Sequence, residues 1–318
     1  MNTFTDLLNN CDHDIVRTFY CRKLDLFAVI ALHKQKSLPA IGGLRFINYQ
    51  NYELAIRDAL NLSQAMTAKS EAHNLGHGGG KMVAVVPKHF NRSEVMQQIG
   101  LWVDTLNGKY ITASDSGTNS DDMSMISRTT QHVASPCRWP QYNPSYYTAL
   151  GVYASMLACY SNLKDKTIAI QGVGEVGKYL IEILLDCGAK IIACDSNSLA
   201  IEKISCKYNI HRTENIYETE CDIFSPCALG AILNPITLPK IKAKFIVGAA
   251  NNQFANSVSD ARLASELGLV YVPDYVANGG GLIHVAGLFA NKTATEIERD
   301  VMAIQNRAKQ FIGTAITV

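Results

Sequence analysis

Residues 167–195 constrain the fold of this chain more than any other stretch. Thr167-Ile168-Ala169-Ile170-Gln171 has the composition of a buried strand. Gly172-Val173-Gly174-Glu175-Val176-Gly177 follows as a glycine turn, and residues 178–186 carry Leu180, Ile181, Leu184 and Leu185 on one side of a helix. Residues 189–194 read as a second strand, and Asp195 stands at its tip, about 20 residues beyond the turn. The glycine spacing is a weak signal by itself. Framed by strand, helix, strand and acid, it predicts a Rossmann-type unit of a doubly wound parallel sheet. The helix start offers unpaired N–H groups to a pyrophosphate. Asp195 can accept hydrogen bonds from adenosine ribose hydroxyls, whereas a 2′-phosphate calls for an arginine, and the neighbours here are Ser196 and Asn197. The expected cofactor is therefore NAD, on Gly172, Gly174, Val176, Gly177 and Asp195. A glycine turn without a ligand is the competing reading.

The remaining strands fit an α/β chain of two domains, for which 318 residues leave room. Residues 24–32 read as a strand, Pro39 to Arg45 as a Gly-Gly turn, residues 52–70 as a helix and residues 81–86 as a strand. Asn91, with Glu94 three positions on, marks a helix start continued over residues 95–106. Residues 110–113 form a short strand that ends in a polar tip, Ser114-Asp115-Ser116-Gly117-Thr118. Residues 131–147, with Pro136, Pro140 and Pro144, are irregular and serve as the boundary. The expected organisation is a substrate and catalytic domain over 1–135, an NAD-binding domain over 136–290 and a C-terminal helical segment over 291–318. A helix over 147–163 opens the second domain. Its later strands, 221–224, 245–250 and 269–272, end in loops bearing Cys227, Ala228, Ala250, Asn251 and Asn278. Ligands of such sheets bind beyond the carboxyl ends of strands, so these residues join the expected cofactor contacts.

Charge and composition narrow the function classes. Lys plus Arg is 29 and Asp plus Glu is 28, a net charge of +1, which gives no field built for nucleic acid or an anionic membrane. The polar start lacks the basic-then-apolar pattern of a secretory signal, and no apolar run approaches the roughly 20 residues of a membrane helix. Nine cysteines, an odd number with no Cys-x-x-Cys, predict reduced and mostly buried thiols in a cytoplasmic protein. No metal site is expected.

A second constellation sits in the first domain. Lys69 and Lys81 lie twelve positions apart, and Lys81 follows Gly78-Gly79-Gly80 directly. Three glycines let backbone pass close to a ligand at an entropic cost. Met82-Val83-Ala84-Val85-Val86 follows, so Lys81 is expected at a loop-to-strand junction, in a wall poor in side chains. Desolvation there lowers a lysine pKa towards the range of a general base. A phosphate-cradling loop, or a tight turn with a surface lysine, is the alternative.

Taken in order, several motifs resemble the glutamate/leucine/phenylalanine/valine dehydrogenase family, nearest its leucine dehydrogenase branch. The carriers are Pro39-Ala40-Ile41-Gly42-Gly43-Leu44-Arg45, Met66-Thr67-Ala68-Lys69, Gly78-Gly79-Gly80-Lys81, Tyr110-Ile111-Thr112-Ala113-Ser114-Asp115, Thr148-Ala149-Leu150-Gly151-Val152, the glycine turn, Cys221 to Gly230, Ala249 to Gln253, and Pro273-Asp274-Tyr275-Val276-Ala277-Asn278-Gly279-Gly280. The resemblance implies that Lys69 holds the substrate carboxylate with help from Asn252. It implies that Lys81 is the base that activates water, that Asp115 shuttles protons of the amino group, and that Thr148 holds the nicotinamide amide. By the same resemblance Ile41, Gly42, Ala113, Leu282 and Val285 line the side-chain pocket. Relatives that act on glutamate have a lysine where Ile41 stands.

The implied activity is NAD-dependent oxidative deamination of an apolar L-amino acid of the leucine, valine or isoleucine type to its 2-oxo acid and ammonia, and the reverse. The implied assembly is a homo-oligomer without nucleic acid or membrane partners. The alternatives are a phenylalanine- or tryptophan-type enzyme and a catalytically impaired NAD-binding paralogue serving as a scaffold. Ser114, Ser116, Ala68 and His284 depart from the family pattern, in which Glu, Val, an aromatic residue and Asn are usual. The C-terminal segment is also shorter than the family's, by a few dozen residues.

Overall fold

A computed structural model of the chain describes residues 11–228 and 230–315. It divides into two compact units, Met1–Tyr142 and Asn143–Val318.

The first unit is a five-stranded mixed sheet with helices on both faces. Its elements are β1 (Ile15–Cys21), β2 (Leu26–Leu32), β3 (Leu38–Ile47), α1 (Tyr52–Ala72), β4 (His77–Val85), α2 (Arg92–Asp104), β5 (Tyr110–Ser114) and α3 (Ser120–Ile126). The strand order is β1-β2-β4-β3-β5. The β1, β2 and β4 strands pair antiparallel, whereas β3 runs parallel to both β4 and β5. Asn51 and Asn91 cap α1 and α2, each accepting a hydrogen bond from the backbone N–H three residues on.

Side-chain alternation along the strands builds two cores. Ala40, Leu44, Phe46, Met82, Ala84 and Tyr110 pack against Val95, Met96, Ile99 and Val103 of α2 and Met123 and Ile126 of α3. On the opposite face Val29, Ala31 and Val83 pack against Ala55, Ile56, Ala59 and Leu60 of α1. Each large aliphatic side chain buried in this way contributes about 1.5–3 kcal/mol. The same alternation places Ile41, Arg45, Lys81, Ala113 and Asp115 on the α1 face, and this positions the site.

Two expectations for this unit are corrected. Gly42 and Gly43 form no turn; they lie inside β3. A Cβ on Gly42 would fall 1.6 Å from the carbonyl oxygen of Gly80, so what the glycine permits there is close approach of β3 to β4. Likewise Gly78, Gly79 and Gly80 form no loop, and Lys81 sits mid-strand in β4 rather than at its start. A Cβ on Gly79 would lie 2.2 Å from the backbone nitrogen of Thr67, which means that α1 rests directly on the strand. Compositional reasoning gave turns because glycine is depleted in strands, but in this sheet crowding selects it.

The second unit opens with α4 (Pro144–Cys159), followed by β6 (Thr167–Gln171), α5 (Glu175–Asp186), β7 (Lys190–Cys194), α6 (Ser198–Tyr208), β8 (His211–Arg212), β9 (Ile223–Pro226), β10 (Phe245–Ile246), α7 (Ser259–Glu266) and β11 (Val270–Tyr271). It closes with the helices α8 (Asp274–Ala277), α9 (Gly280–Phe289), α10 (Ala294–Met302) and α11 (Ile304–Ala315). Pro144 begins α4 rather than breaking the chain before it, since its missing N–H has no partner to lose at a helix start. The parallel sheet has the order β11-β10-β9-β6-β7-β8, which is the doubly wound dinucleotide topology. The strand order reverses at the neighbouring pair β6 and β9, so the ligand crevice opens beyond their carboxyl ends. The nine cysteines are free, and they are half-buried or exposed rather than mostly buried.

Candidate active site

In the first unit two of the charged groups expected to do the chemistry, Lys81 and Asp115, meet. Lys81 Nζ donates to Asp115 Oδ2 at 2.7 Å, and the side chains are 6% and 20% exposed. The strands β3 and β5 position Asp115: Gly43 pairs with Ala113, and a Cβ on Gly43 would come 2.7 Å from that of Asp115. Thr118 Oγ1 clasps the tip by accepting from the Asp115 N–H at 2.9 Å. Burial alone would raise the Asp115 carboxyl. The Lys81 ammonium and the Arg45 guanidinium beside it outweigh that and hold it at about 2. Asp115 is therefore ionised throughout the neutral and alkaline range.

Lys69 lies near the end of α1. That helix is locked to β4 two residues earlier, where Thr67 Oγ1 accepts from the N–H of Gly79 at 2.9 Å. Ile41 is 2% exposed on β3 and Ala113 is 8% exposed on β5, so the wall they make is apolar.

Sequence reasoning missed Arg45, Asp58 and Tyr49. Arg45 Nε donates to Asp115 Oδ2 at 3.1 Å and its Nη1 to Asp58 Oδ2 at 2.9 Å; the Tyr49 hydroxyl donates to the same Asp58 oxygen. Arg45 was hidden by reading its stretch as a turn. Read as a strand, alternation would have put it on the face of Ile41. Asp58, on α1, carries no local signal. Ser114 is joined to Tyr142 by a hydroxyl contact of 3.1 Å, a role equally invisible in sequence.

The second unit gathers the residues expected at the cofactor. Gly172 has φ +102°, a conformation that favours glycine, and a Cβ there would lie 2.8 Å from Ala228. Gly177 must be small as well, since a Cβ would meet the Gly172 carbonyl oxygen at 2.2 Å. Gly174, the N-cap of α5, instead faces open space, with no atom within 4 Å of a Cβ built on it. That clear volume at a helix N-terminus, next to half-buried Val176, fits a pyrophosphate. Asp195 Oδ2 accepts from Val173 N–H and Oδ1 from Asn197 N–H, each at 2.8 Å. The carboxylate is thus oriented by the glycine turn, and each oxygen keeps a lone pair for a hydroxyl. Asn197 spends its own side chain capping α6.

Past the ends of β9 and β10, Cys227 N–H binds the Gln171 carbonyl at 2.7 Å and Ala250 N–H the Pro226 carbonyl at 2.9 Å. Asn278 Nδ2 donates to Asn251 Oδ1 at 2.8 Å and to the Ala249 carbonyl at 3.0 Å. Its own Oδ1 is buried without a hydrogen-bond partner among the described residues, an acceptor suited to a ligand donor. Asn252 holds φ +50° with its N–H on Asp274. Thr148 Oγ1, which donates to the Pro144 carbonyl at 2.8 Å, would lie 2.6 Å from a Cβ on Gly281. Leu282 and Val285 are buried on α9, 7% and 3% exposed. His284, between them, accepts from Asn143 N–H at 3.1 Å and stacks on Tyr147; burial pushes its pKa down to about 4, so it is neutral packing. Among the described residues no three His, Cys, Asp or Glu side chains converge to hold a metal, and no helix is long and apolar enough to cross a membrane.

The folds of both units and these two clusters define an amino acid dehydrogenase. The model of the Glu/Leu/Phe/Val dehydrogenase dimerisation domain matches residues 23–132, and that of Glutamate/Leucine/Phenylalanine/Valine dehydrogenase matches residues 145–203 and 197–300. The chain belongs to this family of NAD(P)-dependent oxidoreductases.

Among its relatives, leucine dehydrogenase of Bacillus cereus is 42% identical over 287 residues, covering 86% of this chain and 78% of that protein. Valine dehydrogenase of Streptomyces albus is 36% identical, covering 94% and 87%. The crystal structure of L-tryptophan dehydrogenase from Nostoc punctiforme superposes with a TM-score of 0.78 at 29% identity, covering 99% of this chain and all of that one.

Proposed function

We propose that the protein uses NAD to deaminate an apolar L-amino acid of the leucine, valine or isoleucine type to its 2-oxo acid and ammonia, and catalyses the reverse. The observation that carries this reading is the buried Lys81–Asp115 pair beside the apolar wall of Ile41 and Ala113. Lys69 anchors the substrate carboxylate together with Asn252. Asp115, ionised, takes a proton from the substrate ammonium so that the amine lone pair can drive the Cα–H bond apart. The glycine turn and Asp195 would hold NAD, which would supply the hydride acceptor. Asp115, now carrying that proton, accepts an imine N–H at its carbonyl oxygen and holds the imine in place. Lys81, in its amine form, removes a proton from the water that adds to the imine carbon. Asp115 returns its proton to the nitrogen and takes up the hydroxyl proton as the carbon–nitrogen bond breaks and the oxo group forms; ammonia leaves, and the protons left on Asp115 and Lys81 pass to ammonia and solvent. Thr148 and Asn278 orient the nicotinamide. The setting is cytoplasmic and the protein acts as a homo-oligomer.

A pocket for phenylalanine or tryptophan is the second reading, favoured by the small Ala113. An impaired scaffold is disfavoured by the intact Lys69, Lys81 and Asp115. The test is NADH formation at alkaline pH with leucine, isoleucine, valine, phenylalanine and tryptophan. Silence with all five, with NAD still bound, sinks the enzyme reading; an aromatic substrate in the lead moves only the pocket assignment.

Lys69→Ala is expected to raise KM for the amino acid about tenfold or more with a smaller change in kcat, because it removes a charged ground-state contact. An unchanged KM in steady-state kinetics removes Lys69 from the carboxylate site. Asp195→Ala is expected to narrow the preference for NAD over NADP by about tenfold or more, since it deletes two hydroxyl contacts and the repulsion of a 2′-phosphate. Equal use of the two cofactors by the native protein contradicts the assignment.

A further inference from the structure

We propose that Arg45 is a positioning residue for Asp115: clamped from behind by Asp58, it fixes the rotation and charge of that carboxylate and touches no substrate. This rests on the reading that Asp115 handles the protons of the substrate nitrogen. Arg45 leaves β3 on the α1 face, and its side chain is 18% exposed. Two different nitrogens of its fork are used, Nε on Asp115 and Nη1 on Asp58. Asp58, one turn and a half into α1, is itself fixed by the Tyr49 hydroxyl. Helix α1, strand β3 and the tip after β5 are thereby tied through one planar group, whose geometry a lysine cannot reproduce.

The bonds converge in a particular way. Lys81 and Arg45 donate to the same oxygen, Asp115 Oδ2. Two donors arriving at one oxygen from β4 and β3 set the carboxylate's rotation, which neither could do alone. The charges also balance: Lys81 and Arg45 against Asp115 and Asp58. Removing Arg45 leaves Asp115 with one cation and Asp58 with the Tyr49 hydroxyl alone. Among the described residues, the titratable and charged groups around Asp115 include Lys81 on β4, Arg45 on β3, Asp58 on α1 behind Arg45, Tyr49, and Tyr110 on β5. Arg45 supplies one of the two charges that depress the carboxyl, while burial works against it.

The test uses the full chain and two readouts. In Arg45→Gln, carbon-detected NMR titration of the Asp115 carboxyl is expected to move upward by about one pH unit or more. With the best substrate of the five-amino-acid panel, kcat is expected to fall about tenfold or more while KM stays within about threefold. Arg45→Lys restores the charge without the fork, so it should return the titration towards native while recovering kcat only in part. Asp58→Asn, which keeps Arg45 but loosens it, should lower kcat with KM unchanged; it also serves if Arg45→Gln does not fold. An unmoved titration in Arg45→Gln overturns the proposal, as does a large rise in KM at constant kcat, which would place Arg45 on the substrate. A titration that moves in a protein inactive on every amino acid keeps Arg45 as the anchor of Asp115 and removes instead the proposed function.

Discussion

Lys81→Ala is expected to lower kcat by about a thousandfold while NAD still binds. The ammonium lies in mid-strand, 6% exposed, and donates a hydrogen bond to Asp115 Oδ2 at 2.7 Å. No solvent base has ready access to a site so enclosed, so the loss of Lys81 removes the group that activates water for attack on the imine. The fold should survive, because Asp115 keeps its bond to Arg45 at 3.1 Å and is not left as a bare buried charge. The residues proposed to contact NAD lie in the other unit, so cofactor affinity reports separately on the intact second unit. Steady-state kinetics and NADH fluorescence titration check both halves. Activity within tenfold of native would remove Lys81 from the mechanism.

Glutamate is expected to be rejected by about a thousandfold or more in kcat/KM relative to leucine. Its distal carboxylate would meet Ile41, 2% exposed, and Ala113, 8% exposed. Burying an unpaired carboxylate there costs several kcal/mol, and about 4 kcal/mol corresponds to a thousandfold. A leucine side chain instead gains about 0.8 kcal/mol for each CH₂ buried. Discrimination among leucine, valine and isoleucine is far weaker, since one methylene separates substrates by only about 10–200-fold. Measuring kcat/KM for glutamate and leucine under one condition decides it; glutamate as the better substrate overturns the pocket. Ile41→Lys would then be the complementary variant, expected to raise relative activity on glutamate by supplying the missing partner.

Much of the second unit was legible in sequence because its signals are local. The strand, glycine turn, helix, strand and acid fall within residues 167–195, and each is specified by periodicity or by a conformation such as Gly172 at φ +102°. The helix over residues 52–70 and the cap at Asn91 were readable for the same reason. Long-range crowding was not. Gly42, Gly43 and the Gly78–Gly80 triplet look like turns to any local rule, and only the stacked sheet reveals that they are strand residues pressed by Gly80, Asp115 and Thr67. The sequence alone thus determined the doubly wound unit and its dinucleotide class, and by resemblance singled out Lys69, Lys81 and Asp115 as the residues proposed for the chemistry. The tertiary structure decided what surrounds them. Arg45 and Asp58 are 13 positions apart and Arg45 and Asp115 are 70 apart, so no periodicity links them, and their shared charge exists only because β3, α1 and the end of β5 are folded onto one face.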